Sequence, residues 1–278
     1  MDALENGVAV ITGAAGGLGR ALARQCAARG MRLVLSDLDG PALAEAAEAL
    51  PAPVDRLAAP ADVSRAEEVE ALAERAYRRF GRVDLLFNNA GVGLAKPVAE
   101  TTSNDWRWVL GVNLWGVIHG IAAFLHRMEA QGGESRIVNT ASAAGFLSEP
   151  FMGAYSVSKH AVVVLSETLR KELAARSSPV GVTILCPAFF PTGITDSERV
   201  RPPELASPGG LSAEAAAAQA RLEKAVRSGR LGADDVARLA LEAAAAREPY
   251  VFTHRRIRLA IEERMREVLE ACPLPPQR

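Results

Sequence analysis

Residues Thr12-Gly13-Ala14-Ala15-Gly16-Gly17-Leu18-Gly19-Arg20 decide how the rest of this chain is read. They follow the β-branched run Val8–Ile11 and lead into a helix-length, Ala-rich stretch, Gly19–Arg29. Glycines at such a junction let the backbone turn tightly, and no side chain blocks a close-lying pyrophosphate. The first amides of the following helix then face that anion with partial positive charge. The spacing is G-x-x-x-G-x-G at Gly13, Gly17 and Gly19. A plain tight turn is the competing reading. Its place at the first strand-to-helix junction of a βαβ unit favours the anion site.

Outward from that turn, short β-branched runs alternate with long Ala- and charge-rich stretches. Strands are expected at Val8–Ile11, Arg32–Ser36, Arg56–Ala59, Asp84–Asn88, Arg136–Thr140, Val180–Leu185 and Tyr250–Thr253. Several are apolar on both parities (Val83, Leu85, Leu86, Phe87; Val182, Ile184, Leu185), which calls for cover on both faces, as in a parallel sheet. Helices are expected at Gly19–Arg29, Pro41–Leu50, Ala66–Phe80, Asn104–Ala130, Ala154–Arg176 and Asp234–Ala246. Strict alternation implies right-handed βαβ crossovers, hence an α/β fold with a doubly wound parallel sheet of about seven strands in a single domain, residues 1–278. Two stretches break the rhythm. Residues 191–230 form a long Pro-, Gly- and Ser-containing insertion with a helical run at Ala213–Ala218, expected to be a substrate loop or a mobile surface segment. Residues 255–271 place Ile257, Ile261, Met265 and Val268 at near-helical spacing, an amphipathic helix expected to pack on its own domain.

Composition excludes several classes. The 278 residues carry 32 Lys plus Arg against 33 Asp plus Glu, a net charge of −1, which argues against nucleic acid or an anionic membrane face as partner. Apolar residues make up 49%, too many for disorder. No uninterrupted apolar run approaches the ~18 residues that cross a bilayer, and the acidic start Met1–Asn6 does not read as a signal peptide. A cytoplasmic protein is expected. Cys26, Cys186 and Cys272 are odd in number and far apart, so neither a disulfide framework nor a zinc site is implied. His119 and His126 lack a carboxylate at ligand spacing, and no metal is expected.

Two further features carry chemistry. The second strand ends at Ser36-Asp37, where an acidic residue in dinucleotide folds accepts hydrogen bonds from the adenosine ribose. It also repels a 2′-phosphate by about 4 kcal/mol per charge pair at ~4 Å and an effective dielectric of about 20. NAD is therefore expected over NADP. The competing reading has Asp37 simply capping the next helix. Tyr155-Ser156-Val157-Ser158-Lys159 opens a long helix, with Ser142 at the end of the preceding strand. Tyr155 and Lys159, four apart, share one helical face. A free phenol with pKa ~10 must drop by roughly 3 units to act as a base near neutrality. An ammonium at ~4 Å supplies that much at intermediate dielectric.

The order and spacing of these stretches resemble those of the short-chain dehydrogenase/reductase family, of the ordinary kind of roughly 250 residues. The matching segments are TGAAGGLG at Thr12–Gly19, Asp62-Val63, NNAG at Asn88–Gly91, Asn113, Ser142 and YSVSK at Tyr155–Lys159. The resemblance implies a Rossmann-like, NAD-binding domain that moves hydride between a secondary alcohol or ketone and the nicotinamide, in a homodimer or homotetramer. It implies that Tyr155 is the general acid/base and that Ser142 orients the alcohol oxygen. Lys159 would hold the nicotinamide ribose and depress the tyrosine pKa, and Asn113 would help hold a proton-relaying water. Thr12, Gly13, Gly17, Leu18, Gly19 and Asp37 would bind cofactor, with Asp62 and Val63 at the adenine and Asn89, Ala90 and Gly91 beside it. Pro187-Ala188-Phe189-Phe190-Pro191-Thr192 resembles P-G-x-x-x-T, with Pro187 beside the cofactor and Thr192 at the carboxamide. Ala188 stands where glycine is usual.

Ser142, Ala144, Phe146, Leu147, Phe151, Phe189 and Phe190 fall where a substrate pocket is expected, and four phenylalanines suggest an apolar or aryl alcohol. No Arg or Lys is plainly placed for a substrate carboxylate or an acyl-carrier phosphate, Arg199 or Arg201 in the 191–230 insertion being the exception to test. An NADPH-dependent ketone reductase and a non-catalytic dinucleotide-sensing regulator are the alternatives. Asp37 argues against the first, and the joint presence of Ser142, Tyr155, Lys159 and Asn113 argues against the second.

Overall fold

All five residues of the first strand, β1 (Val8–Thr12), are buried, and their side chains divide between two apolar layers. Val8 and Val10 face one layer, Ala9 and Ile11 the other, as a parallel strand covered on both sides requires. The computed structural model describes residues 4–51, 53–207 and 211–272. After β1 come α1 (Gly17–Ala28), β2 (Arg32–Ser36), α2 (Gly40–Glu48), β3 (Arg56–Ala58), α3 (Ala66–Phe80) and β4 (Leu85–Asn88). Then follow α4 (Ser103–Leu110), α5 (Gly116–Ala130), β5 (Ser135–Thr140), α6 (Gly153–Ala175) and β6 (Val180–Cys186). The chain continues through α7 (Ala213–Arg227), α8 (Ala233–Ala245), β7 (Tyr250–Phe252) and α9 (Arg255–Glu270).

The strands form one seven-stranded parallel sheet in the order β3-β2-β1-β4-β5-β6-β7, a single Rossmann-like α/β domain. Side chains of α1, α2 and α8 pack on one face and those of α3, α5 and α6 on the other. Strand order reverses between β1 and β4, and at such a switch point the two following connections leave in opposite directions and open a crevice at the strands' carboxyl ends.

The segment expected as one helix over Asn104–Ala130 is interrupted. Between α4 and α5, Gly111–Trp115 forms a π-helical turn that holds Asn113, a distortion the apolar period does not announce. Taken together, Ser103–Ala130 is long and apolar enough, by length and composition, to cross a membrane; here Trp108, Val109, Val117, Phe124 and Met128 of this stretch are buried within the protein. The 191–230 insertion holds 3₁₀ turns at Gly193–Val200 and Pro203–Leu205, followed by α7; residues 208–210 lie outside the described residues. In α9 Ile257 is buried and Ile261 half-buried, while Met265 and Val268 are 45% and 50% exposed, so the expected packing of the apolar face holds for the N-terminal half of the helix and not for the rest. Cys26 and Cys186 are buried free thiols; burial pushes the Cys26 pKa up to about 12 and raises that of Cys186 as well, so neither is a ready nucleophile.

Helix α5 lies against β4 at Gly120, where an added Cβ would stand 2.0 Å from Asn88 Oδ1. Asn88 is itself held, donating to Asn139 Oδ1 at 2.9 Å, and Asn139 donates to Ser166 Oγ at 2.9 Å. Alanine is the better helix former by about 1 kcal/mol, yet Gly120→Ala is expected to lower stability by about 1–3 kcal/mol through overpacking. Urea unfolding checks this, and a variant as stable as the wild type would mean that α5 can shift away from the sheet.

Candidate active site

The carboxyl ends of β1, β4, β5 and β6 open into one cavity of about 600 Å³. At one end lies the glycine turn. Gly13 has φ +67°, and a Cβ on it would stand 2.8 Å from Ala90 Cα, so both backbone conformation and space restrict this position to glycine. Gly16 caps α1 and has no side chain to satisfy the first-turn amides, while Gly17, Leu18 and Gly19 line the cavity. A helix N-terminus of that kind presents outward-pointing amides to an anion.

Asp37, at the end of β2, also lines the cavity, and its carboxylate accepts from Ala15 N at 2.9 Å and Asp39 N at 3.2 Å. The residue that caps α2 is Asp39, which accepts from Ala42 N at 3.0 Å. Asp62 and Val63 form the wall beyond, with Asp62 accepting from Ser64 N and Oγ at 2.9 and 2.7 Å. Asn89, Ala90 and Gly91 lie on the cavity, as do Pro187, Ala188 and Thr192. The first-turn amides of α1, with the cavity that runs on from them, fit a dinucleotide.

Thr12 is placed differently from expectation. It does not line the cavity; its hydroxyl donates to Phe87 O at 3.2 Å and accepts from Asn89 N and Ala90 N at 2.9 and 3.1 Å. The side chain fastens the end of β1 to the end of β4, because a short hydroxyl at that position reaches the neighbouring strand before it reaches the groove.

At the other end, Ser142, Tyr155 and Lys159 converge on the same cavity. Ser142 follows β5, and its oxygen accepts from Ala144 N at 3.2 Å. Lys159 is buried on α6, donates to Thr140 O at 2.8 Å, and sits 5.7 Å from the centre of the Tyr155 ring. Burial brings the Lys159 pKa down to about 8. Burial likewise pushes the Tyr155 hydroxyl above the ordinary phenol range, and the Ser142 hydroxyl pulls the other way. Desolvation outweighs the Ser142 hydrogen bond, and the expected lowering of the phenol by Lys159 is not among the causes that act on it.

Asn113 is fully buried and does not line the cavity. Its side chain accepts from Val92 N at 2.8 Å and donates to Val92 O at 3.0 Å and Ser158 Oγ at 3.1 Å. It ties the segment after β4 to α6 from beneath Gly91.

Of the expected substrate residues, Ser142, Ala144, Leu147, Phe189 and Phe190 line the cavity, but Phe146 and Phe151 do not. The Phe146 ring turns away to pack on Tyr250 and Phe252, with centroids 6.1 and 5.4 Å apart. Phe151 adopts φ +68° and packs beneath the Arg221 guanidinium, 4.9 Å above its ring. Arg199 and Arg201 are paired within the protein, Arg199 with Asp39 at 3.1 Å and Arg201 with Asp105 at 2.9 Å, so neither is spare for a substrate carboxylate. The sequence reading missed Trp108, Met152, Leu222, Val226 and Ile257 as cavity walls. Only the amphipathic pattern around Ile257 carried a signal, and it did not say which surface the helix would meet.

The chain belongs to the short-chain dehydrogenase/reductase family: the short chain dehydrogenase family model matches residues 7–202. A short-chain dehydrogenase/reductase from Burkholderia phymatum, solved in complex with NAD, is 47% identical with TM-score 0.96, covering 100% of both chains. A CLA biosynthesis dehydrogenase/reductase from Lactiplantibacillus plantarum is 30% identical, covering 97% of this chain and 95% of its own. A 1-deoxy-11-beta-hydroxypentalenate dehydrogenase from Streptomyces exfoliatus is 32% identical, with coverages of 98% and 92%. The protein is thus an oxidoreductase of this family, with a nicotinamide dinucleotide as cofactor.

The Lys159 pKa gives a signed prediction. Its folded-state value of about 8 lies below the ordinary 10.5, so between those limits the unfolded chain binds more protons and the residue's contribution to stability rises with pH. The stability of wild type minus that of Lys159→Met is expected to grow from pH 8 towards 10.5, by up to about 3 kcal/mol. Urea unfolding of both proteins at several pH values measures it; a difference independent of pH would show that the ammonium keeps its ordinary affinity for protons.

Proposed function

We propose that this protein is an NAD-dependent dehydrogenase of an apolar or aryl secondary alcohol, or a reductase of the matching ketone, with Tyr155 as general acid/base. The observation that carries this reading is that Ser142, Tyr155 and Lys159 share one cavity with the glycine turn and Asp37. Asp37 supports NAD over NADP, since its carboxylate would stand against a 2′-phosphate. The Burkholderia phymatum structure, a complex with NAD, points the same way.

NAD, when bound, supplies the hydride acceptor and a positive charge near the reacting carbon. Ser142 donates a hydrogen bond that orients the alcohol oxygen, and the Tyr155 oxygen takes the alcohol proton as the carbonyl forms. In the reverse direction Tyr155 returns it. With burial holding the phenol protonated in the protein alone, the tyrosine is poised first as an acid, and added positive charge shifts it towards base. Lys159, already near neutrality in its affinity for protons, can pass a proton onward as well as hold a hydroxyl. Leu147, Met152, Phe189, Phe190, Leu222 and Ile257 make the wall apolar and favour a substrate of the same character.

A panel of apolar and aryl secondary alcohols with NAD, followed at the absorbance of the reduced nicotinamide, is expected to yield turnover. Tyr155→Phe is expected to lower that turnover by about 10²-fold or more while leaving NAD binding, read by intrinsic fluorescence, nearly unchanged. A variant that turns over normally would remove Tyr155 from the reaction. A silent panel with intact NAD binding would favour a dinucleotide sensor.

A further inference from the structure

The charged residues that line the cavity sort by the elements that carry them. Asp37 and Asp62 stand beyond β1, and Arg107 lies one helical turn before Gly111, which faces Ser64, so these three belong to the glycine-turn end. Lys159 is committed to Thr140 O. Arg199 meets Asp39 and Asp196, at 3.1 and 3.7 Å. Two charged lining residues remain: Glu149, between β5 and α6, and Arg256, in the first turn of α9.

A run of hydrogen bonds leads from the reacting end to Arg256. Ala143 N, beside Ser142, donates to Pro187 O at 2.9 Å. Ala188 N donates to Thr253 Oγ1 at 3.0 Å, and that hydroxyl lies 2.9 Å from His254 Nδ1. Helix α9 starts at the next residue, with Arg256, Ile257 and Ala260 lining the cavity. In the sheet β7 stands two places from β5, on the side away from β1, a separation of about 10 Å at about 4.8 Å per strand step. Seen from the glycine turn, Arg256 thus lies past Ser142 and Tyr155, where the far end of a substrate would reach.

Among the described residues no carboxylate comes within ion-pair distance of Arg256. The cause is local: Phe252, Thr253, Leu259 and Ala260 stand one helical turn to either side, and residues 249–261 hold three arginines and no acid. Arg258, two residues on, finds Glu262 at 2.8 Å. The nearby His254 is held below the ordinary imidazole range by burial and by the Arg256 charge, so it stays neutral and adds no second cation. Arg256 is therefore the cation on this wall that no protein anion answers. A guanidinium presents two parallel N–H groups that match a carboxylate.

We propose that Arg256 is a specificity-determining residue that binds a carboxylate at the far end of the substrate, so that the preferred substrate is an apolar or aryl hydroxy acid, or the matching keto acid, with its acid group remote from the reacting carbon. This deepens the alcohol dehydrogenase reading above and rests on it.

Initial rates with NAD on three probes test it: a phenylethanol with its hydroxyl on the benzylic carbon and a para carboxylate, the methyl ester of that acid, and the analogue with a para aminomethyl group. The wild type is expected to favour the acid over the ester by about tenfold or more in kcat/KM, the scale of a hydrogen bond to a charged group once substrate covers it, and to do so mainly through KM. Arg256→Gln is expected to remove that preference. Arg256→Lys is expected to retain part of it, since lysine keeps the charge and loses the paired geometry. Arg258→Gln, which changes a charge on the same helix outside the cavity lining, is expected to keep the wild-type ratio. An ester used as well as the acid, or an acid preference that survives in Arg256→Gln, would overturn the proposal. So would an amine preferred to both, which would pass charge recognition to Glu149, or three silent probes beside neutral alcohols that react. Each of these results leaves the dehydrogenase reading standing. Silence with every alcohol, charged or neutral, would overturn that reading and this proposal with it.

Discussion

The site depends on a lysine ammonium buried where the sheet ends. Lys159 donates to the Thr140 carbonyl at 2.8 Å, joining α6 to the last residue of β5. Once that bond is made, the helical repeat places Tyr155 one turn away on the same face, towards Ser142, which lies two residues beyond Thr140. Asn113 secures the arrangement from below through Ser158 and Val92, and the π turn that holds it sets it at the needed height. Two residues from sequentially distant elements are thus brought to a third by hydrogen bonds that have no water to compete with them.

Burial also sets the chemistry. The same desolvation that lowers the Lys159 pKa raises that of Tyr155, so two groups of similar ordinary proton affinity are driven apart, each towards its neutral form. At the cavity Arg199 meets the Asp39 carboxylate, and much of the remaining lining is apolar.

Much of the fold was legible because it follows from local pattern. Double-sided apolar strands such as Leu85–Phe87 require two covering layers, and the glycine turn at Gly13–Gly19 marks the first strand-to-helix junction. The placement of Tyr155 and Lys159 side by side was legible because a spacing of four on a helix is itself a spatial statement. What was misplaced depended on contacts between distant residues. Phe146 and Phe151 stand at pocket positions by sequence, yet the Phe146 ring packs on Tyr250 and Phe252 and the Phe151 ring on Arg221, partners far along the chain. Thr12 reaches Asn89 instead of the groove, and the π turn hides within a continuous apolar repeat.

The sequence by itself determined the layered α/β sheet, the glycine turn, the acidic residue at the end of β2 and the Tyr155–Lys159 pair on one helical face, because each is encoded in periodicity or fixed spacing over a few residues. Only the tertiary structure decided which aromatic rings face the cavity, which residues between Thr192 and Val226 line it, and in which direction burial moves the proton affinities of Tyr155 and Lys159. Those outcomes depend on surfaces that meet after folding, and desolvation and ion pairing are properties of the meeting surfaces and not of either segment alone.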